Sequence, residues 1–254
     1  MEPITTSINT LIVIPCYNEA KRLPVASYID FISSREDIGF LFVNDGSRDN
    51  TIEILNEIVS KSRNSHILDL KKNGGKAEAV RQGLIYGFEH FTPKYIGFWD
   101  ADLATPLNEI AHFCKLFTDY EFNMVTGLRL MRLGAKVKRR QKRHYLGRIF
   151  ASFASLLLKL PVYDTQCGAK MYEAKLVPIL FKDPFISKWL FDVEILARYI
   201  NNFGRNEAIH KIYEHPIYEW EDIGNSNLKM KDFFIAPLEL LRIKRKYFSN
   251  QKSS

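Results

Sequence analysis

Three things are scarce in this chain of 254 residues. The first is cysteine. Cys16, Cys114 and Cys167 are too few and too scattered for a disulfide framework or a cysteine-based zinc site, and they suit a reducing compartment. The second is long apolar sequence. No stretch reaches the roughly 18 apolar residues that span a bilayer, and the N-terminus lacks the basic-then-apolar pattern of a signal peptide. Integral insertion is therefore not expected, whereas peripheral attachment stays open. The third is acid, in two regions. Between Phe122 and Tyr163 there are ten Lys or Arg and no Asp or Glu, and five more cations follow Glu239 without an acid. The net charge of +7 hides this division, because the remainder of the chain sums to −8. An acidic body with a basic belt and a basic tail points to an anionic partner. The belt is aliphatic rather than interleaved with stacking aromatics, and no nucleic-acid-binding motif is present, so nucleic acid is not the expected partner. An apolar content of 46% with 13% aromatics supports a real core, and the length suits one α/β domain.

What is present alternates. Thr10–Pro15, Phe40–Val43, His66–Leu70, Tyr95–Trp99 and Asn123–Thr126 read as strands, the first two as continuous apolar runs typical of a parallel sheet. Helical stretches are expected from Asn18-Glu19, over Asp49–Val59 and Lys76–Phe88, and from Pro106 to about Phe117. The second half is less regular. Lys138–Leu160 is amphipathic through Leu146, Ile149, Phe150, Phe153, Leu157 and Leu160, and Leu190–Phe203 turns Val193, Leu196, Ile200 and Phe203 inward. Ile217–Trp220 is strand-like, Gly224–Asn227 is a loop, and Phe233–Tyr247 is amphipathic. This order implies a parallel sheet with helices on both faces, where ligands sit beyond the carboxyl ends of strands.

Three polar clusters fall at such ends: Cys16–Glu19, Asn44–Ser47 and Asp100–Asp102. Asp100-Ala-Asp102 places two carboxylates at i and i+2, on one side of extended chain, where both can meet one divalent cation. Alone, the triplet reads more readily as a loop or a helix cap. Tyr17 offers a ring for a base or ribose, and Asp45 can accept a base N–H, although Asn44–Ser47 also reads as an ordinary turn. Asn73-Gly-Gly-Lys76 resembles a phosphate-cradling loop without full Walker A spacing. His66, His112 and His210 show no metal-ligand spacing and read as structural, and Cys167 reads as a packing residue.

Taken in order, Ile12-Val-Ile-Pro-Cys-Tyr-Asn-Glu19, Val43-Asn-Asp-Gly-Ser47, Gly75-Lys76 and Asp100-Ala-Asp102 resemble the family 2 glycosyltransferases. Asp164-Thr-Gln-Cys-Gly-Ala-Lys170 and Trp189-Leu-Phe-Asp-Val-Glu194 are similar to the branch that glycosylates polyprenyl phosphates, its dolichyl-phosphate glucosyltransferases more than its dolichol-phosphate mannose synthases. The resemblance runs over about residues 8–230. It implies a GT-A type nucleotide-diphospho-sugar transferase fold, a mostly parallel Rossmann-like sheet flanked by helices. One glycosyltransferase domain is expected over 1–254, with a nucleotide-sugar half at about 8–127, an acceptor half at about 128–230 and a basic tail at 231–254. The resemblance further implies that Pro15, Tyr17, Glu19, Asp45, Lys76 and Asp100 bind the nucleotide sugar. Asp100 and Asp102 would hold Mg²⁺ or Mn²⁺, Arg129 and Arg143 would face an acceptor phosphate, and Gln166 and Lys170 would line that site. Asp102 and Asp192 are the implied catalytic residues. Departures from the pattern are Asn44 for Asp, Ala77 for Gly, Ala169 for Phe and Asn227 for Lys, and the branch's transmembrane anchor has no counterpart in these residues.

The expected reaction is an inverting transfer of a hexose from UDP-glucose, or from GDP-mannose, to a polyprenyl or dolichyl phosphate. The enzyme would sit peripherally at the cytoplasmic face of an anionic membrane, with room for a membrane-protein partner. The apolar side of Gly147–Leu160 would either dip into the interface or pack on the sheet. The alternative is a soluble family 2 enzyme that glycosylates a saccharide hydroxyl in cell-surface polysaccharide synthesis. A hydroxyl acceptor needs a base, for which Asp192 is the first candidate; an ionised phosphate needs none.

Overall fold

The computed structural model describes residues 8–138, 141–223 and 230–249, with only the backbone for 141–146 and 230–234. The first half runs β1 (Thr10–Cys16), α1 (Val25–Ser34), β2 (Ile38–Asp45), α2 (Thr51–Val59), β3 (Ser65–Leu70), α3 (Lys76–Phe91), β4 (Tyr95–Trp99), α4 (Glu109–Tyr120) and β5 (Met124–Leu128). The second half adds β6 (Lys136–Lys138), α5 (Gln141–Leu158), β7 (Ala169–Glu173), α6 (Val177–Leu180), α7 (Phe191–Phe203), α8 (Arg205–Lys211), β8 (Ile212–Pro216), β9 (Glu219–Glu221) and α9 (Met230–Phe248).

Seven strands form one sheet in the order β3-β2-β1-β4-β7-β5-β8. Every pairing is parallel except those of β7, which runs antiparallel between β4 and β5. The short strands β6 and β9 pair in parallel as a separate ribbon. Helices α1, α2 and α4 cover one face of the sheet, around Tyr28, Leu55 and Phe113. The other face carries α3, α5, α6, α7 and α9, around Leu84, Ala154, Leu180, Val193 and Leu240. Strands β1 and β2 are buried almost throughout, as continuous apolar sequence requires of central parallel strands. Helix α3 lies unusually close to β1. A Cβ on Gly83 would stand 2.5 Å from a Val13 methyl, and one on Gly87 2.5 Å from a Leu11 methyl.

Three expectations are corrected. No helix follows Asn18. That residue takes a left-handed φ of 53°, Glu19–Leu23 forms a turn, and Pro24 immediately precedes α1. The expected helix over Lys138–Leu160 begins only at Gln141, because Lys136–Lys138 is drawn into the ribbon with Glu219–Glu221. Phe203 at the end of α7 stays 37% exposed rather than turning inward. Strand β7 and edge strand β8 are additions.

Helix α7 is buried on all sides from Phe191 to Ile200, which obliges its charged residues there to find partners inside the protein. Arg198 pairs with Glu194 at 2.8 Å and donates to the carbonyls of Leu180, Asp183 and Pro184. Tyr247 of α9 donates to the same Glu194 oxygen at 2.8 Å, and the other oxygen accepts the Ile186 N–H. This network holds α7, α9 and the 180–186 segment together. Arg198→Leu leaves Glu194 charged and uncompensated. It is expected to lower the unfolding free energy by about 3–5 kcal/mol in a urea titration. A loss below about 1 kcal/mol would show that the network is not what holds these elements.

Candidate active site

The loops that follow β1, β2, β3 and β4 meet at one end of the sheet, tied together by short polar contacts. Asn18 N–H donates to Ser47 Oγ at 3.0 Å, and Arg48 N–H returns a bond to Asn18 Oδ1 at 2.9 Å. Glu19 N–H donates to Thr51 Oγ1, and Ala20 N–H to Asp49. Asp45 is 2% exposed, and its carboxylate is occupied by the glycine loop. The N–H groups of Gly74 and Gly75 reach its two oxygens at 2.8 Å each, and Asn73 Nδ2 adds a third bond. Gly75 has φ +89°, which an L side chain rarely adopts, and it starts α3. Asp45 thus shapes the loop that carries Lys76. A cleft of about 610 Å³ opens beside that loop between the ends of β2 and β3, lined by Asn44, Ser47, Asp69, Lys72 and Asn73 among others.

The acidic triplet at the end of β4 is braced from below. Tyr28 donates to the Ala101 carbonyl at 3.2 Å, and Trp99 Nε1 donates to the Thr105 carbonyl at 3.0 Å. Both rings are fully buried. Leu103 takes a left-handed φ of 54°, so the backbone reverses immediately after Asp102. Burial raises the pKa of Asp102, and the neighbouring Asp100 raises it further, against the opposing pull of Ala104 N–H and Lys76. Lys76 reaches across from the glycine loop to hydrogen-bond Asp100. Burial lowers the pKa of Lys76, but the carboxylates of Asp100, Asp192 and Asp102 outweigh it, and the net shift is upward.

Strand β7 brings a second charged pair under the first. Lys170 is 1% exposed, and its ammonium lies 2.7 Å from Asp192 Oδ1 and 2.5 Å from the Cys167 carbonyl. Asp192 sits in the first turn of α7, where the helix dipole favours a negative charge. Burial nevertheless raises its pKa, only partly offset by Lys170 and Lys76. Gly168 has no side chain because none fits: a Cβ there would collide with the Asp100 carboxylate. Asp100 N–H also donates to the Gly168 carbonyl at 2.9 Å.

The expected residues divide accordingly. Lys76, Asp100, Asp102, Lys170 and Asp192 form one electrostatically connected cluster. Burial raises the pKa of Glu19 against the pull of Arg22, with a smaller push from nearby Asp102, and Glu19 Oε2 is buried with no hydrogen-bond partner among the described residues. Tyr17 is 38% exposed at the rim and Pro15 is half-buried in β1. Arg129 does not present a bare guanidinium to an acceptor. It forms a two-point pair with Asp164 at 2.7 Å per bond, and lies 5.3 Å from the centroid of Trp220. The backbone N–H groups of Tyr163 and Asp164 are in turn held by Glu214 of β8 at 2.7 Å. Gln166 Nε2 is buried without a hydrogen-bond partner among the described residues. Arg143 lies in α5, but its side chain is outside the described residues, as is Gly224–Asn227. Sequence reasoning missed Lys188, an exposed lysine whose Cδ lies 3.8 Å from where a Gly75 Cβ would stand. Its place four residues before Asp192 was the available signal.

Compared with known proteins, residues 11–179 match the profile of the family described as glycosyl transferase family 2. The chain belongs to that family. A dolichyl-phosphate beta-glucosyltransferase of Trichomonas vaginalis is 30% identical over 252 residues, covering 94% of this chain and 71% of that protein. The human dolichyl-phosphate beta-glucosyltransferase is 29% identical over 238 residues, covering 85% and 68%. Among solved structures, a glucosyl-3-phosphoglycerate synthase from Mycobacterium tuberculosis superposes with a TM-score of 0.68 at 15% identity, over 96% of this chain and 80% of that one. That protein was crystallised with Mn²⁺, uridine diphosphate and phosphoglyceric acid. The likeness establishes the GT-A fold of the family 2 chain described here.

Gly168→Ala tests the contact beneath Asp100. The methyl group must push that carboxylate aside, and displacement near 1 Å in an active site costs on the order of 100-fold in rate. Glycosyltransferase turnover is expected to fall by that order while thermal unfolding moves little. Wild-type turnover in the variant would show that the Asp100 position is not critical.

Proposed function

We propose that this protein transfers glucose from UDP-glucose to a polyprenyl phosphate of the dolichyl type, with inversion at the anomeric carbon, at a membrane surface. The observation that carries this reading is the bond from Lys76 to Asp100, which joins the glycine loop to the acidic triplet. A cation on a phosphate-type loop, touching a carboxylate pair, suits a nucleoside diphosphate and its counter-ion.

The residues fit a hard divalent cation. Asp102 is strained in its charged form by burial and by Asp100, and a cation relieves both effects. Asp100 and Asp102 would hold Mg²⁺ or Mn²⁺, which when bound offsets the charge of the departing diphosphate. Lys76, kept protonated by its three carboxylates, adds a second positive charge at the same place. Tyr17 and the Asp45-shaped loop would position the nucleoside. An acceptor phosphate oxygen then attacks the anomeric carbon, the bond to the diphosphate breaks, and UDP leaves. A phosphate monoester is already largely ionised near neutral pH, its second pKa being about 6. No base is therefore required, and Asp192, held against Lys170, orients the sugar. The names of the relatives support the acceptor.

The raised pKa of Asp192 favours a second reading, in which that carboxylate deprotonates a saccharide hydroxyl. One assay separates the two. Release of UDP from UDP-glucose with Mg²⁺ or Mn²⁺ is expected to depend on added polyprenyl phosphate. Asp102→Asn should lower it by on the order of 100-fold or more, and Asp192→Asn should retain substantial turnover. No turnover with any polyprenyl phosphate sinks the first reading, and abolition by Asp192→Asn in a folded variant favours the second.

Two helices support the membrane surface. Ile149, Phe153 and Leu156 form one stripe on α5, exposed by 56%, 59% and 77%. Ile235, Leu238 and Leu241 form another on α9, which packs against α5. Exposed Arg242, Lys244, Arg245 and Lys246 continue along α9. Apolar stripes beside cations suit an anionic interface. No described helix is long and apolar enough to cross a membrane. Each of these exposed side chains would contribute about 1.5–3 kcal/mol on entering the interface, so losing two should cost well over tenfold in affinity. Phe153→Glu/Leu238→Glu is therefore expected to abolish co-sedimentation with phosphatidylserine vesicles, and unchanged sedimentation removes the surface from the proposal.

A further inference from the structure

On the α4 face of the sheet, away from the acidic triplet, three side chains converge that the transfer reaction does not use. Glu109 and His112 lie one turn apart on α4, and His215 comes from the edge strand β8. His112 Nδ1 stands 3.1 Å and His215 Nε2 3.0 Å from the same oxygen, Glu109 Oε2. All three candidate ligand atoms fall within 4.8 Å of one another. We propose that Glu109, His112 and His215 form a second metal site, selective for Zn²⁺-class transition ions and distinct from the Asp100–Asp102 pair.

The geometry is that of a ligand set with small adjustment. Zinc binds imidazole nitrogen and carboxylate oxygen at about 2.0–2.2 Å in tetrahedral sites, which places neighbouring ligand atoms about 3.3–3.5 Å apart. The two contacts to Glu109 Oε2, at 3.1 and 3.0 Å, need a slight opening, and the two imidazole nitrogens, within 4.8 Å of each other, settle to the same spacing by side-chain rotation. Glu-x-x-His spacing puts a carboxylate and an imidazole on one helix face, an arrangement used for metal ligation in helical proteins. Glu109 is oriented from behind, because its other oxygen accepts the Tyr218 N–H at 3.2 Å. Phe113 packs edge-on to the His215 ring at 5.3 Å and fixes its plane. An imidazole nitrogen that ligates the ion carries no proton, so the ion takes the place of the two histidine contacts to Glu109 Oε2. The His112 side chain is 61% exposed, which gives an ion an entry path and leaves a position for water.

Selectivity follows from donor type. Two imidazoles and one carboxylate suit Zn²⁺ or Co²⁺, whereas paired carboxylates suit Mg²⁺ or Mn²⁺. The consequence is mechanical. An ion here would clamp α4 to β8 and to the Tyr218 segment that leads into β9. Glu221 of β9 donates to the Ala104 carbonyl at 3.3 Å, so the clamp reaches the loop after Asp102.

The test is a calorimetric titration of the full chain with Zn²⁺ in excess Mg²⁺, for wild type and for Asp100→Asn/Asp102→Asn. Both proteins are expected to bind one equivalent, and zinc should raise the unfolding temperature of both. His112→Gln alters an exposed side chain and should weaken zinc binding by roughly tenfold or more. His215→Asn should do the same. Absence of zinc binding in the wild type at micromolar concentration overturns the proposal, as does undiminished binding in His112→Gln. Loss of zinc binding in Asp100→Asn/Asp102→Asn alone assigns the ion to the acidic triplet and also overturns it. None of these outcomes depends on the sugar donor or acceptor.

Discussion

A lysine that is 1% exposed needs a carboxylate beside it, and that requirement fixes the relation between β7 and α7. Lys170 and Asp192 lie on different elements, 22 positions apart in sequence, and their 2.7 Å contact sets how α7 enters the site. Above this pair, Gly168 leaves just enough room for Asp100, and Lys76 answers Asp100 from the opposite loop. Positive and negative groups therefore alternate from the sheet interior outward. In the proposed reaction a diphosphate and its cation would extend this alternation outward. Removing any one member leaves a neighbour unbalanced in a poorly solvated place.

The legible parts of this arrangement were the local ones. Leu11–Ile14 and Phe40–Val43 announce central strands because a parallel strand covered on both faces must be apolar throughout. The polar clusters after them fall where such sheets bind ligands, and Asp100, Asp102 and Lys76 stand together there. The family resemblance extended this reading to Lys170 and Asp192, whose contact no periodicity predicts. What could not be read was set by distant partners. Strand β7 has a lysine as its second residue and gains its identity from pairing with β4 and β5 on either side. Arg129 is taken by Asp164, 35 residues later, so a cation expected to face the acceptor is already balanced. His112 gave no metal spacing because its companion His215 is 103 positions away in sequence.

Charge is also partitioned more finely than the belt and tail suggested. Within the acid-free segment, Arg129 is neutralised internally and Lys138 pairs with Glu221 at 3.3 Å. Arg148 lies over the Tyr163 ring at 3.3 Å and bonds its carbonyl. The belt is therefore partly structural. Exposed apolar groups on α5 and α9, rather than net charge alone, distinguish the surface on which a lipid would sit.

The antiparallel insertion of β7 has a consequence for how the chain assembles. During synthesis, β1 to β4 are complete once residue 99 has emerged, and their mutual pairings need nothing further. Strand β5 is different: among the described residues its neighbours in the sheet are β7 and β8, which are made 41 and 84 residues later. It must wait unpaired until the chain returns. The first four strands thus form a platform that carries Asp45, Lys76 and Asp100 early. The late arrival of Gly168 and Lys170 both joins β5 to this platform and sets the floor of the charged cluster, which Asp192 of α7 then completes.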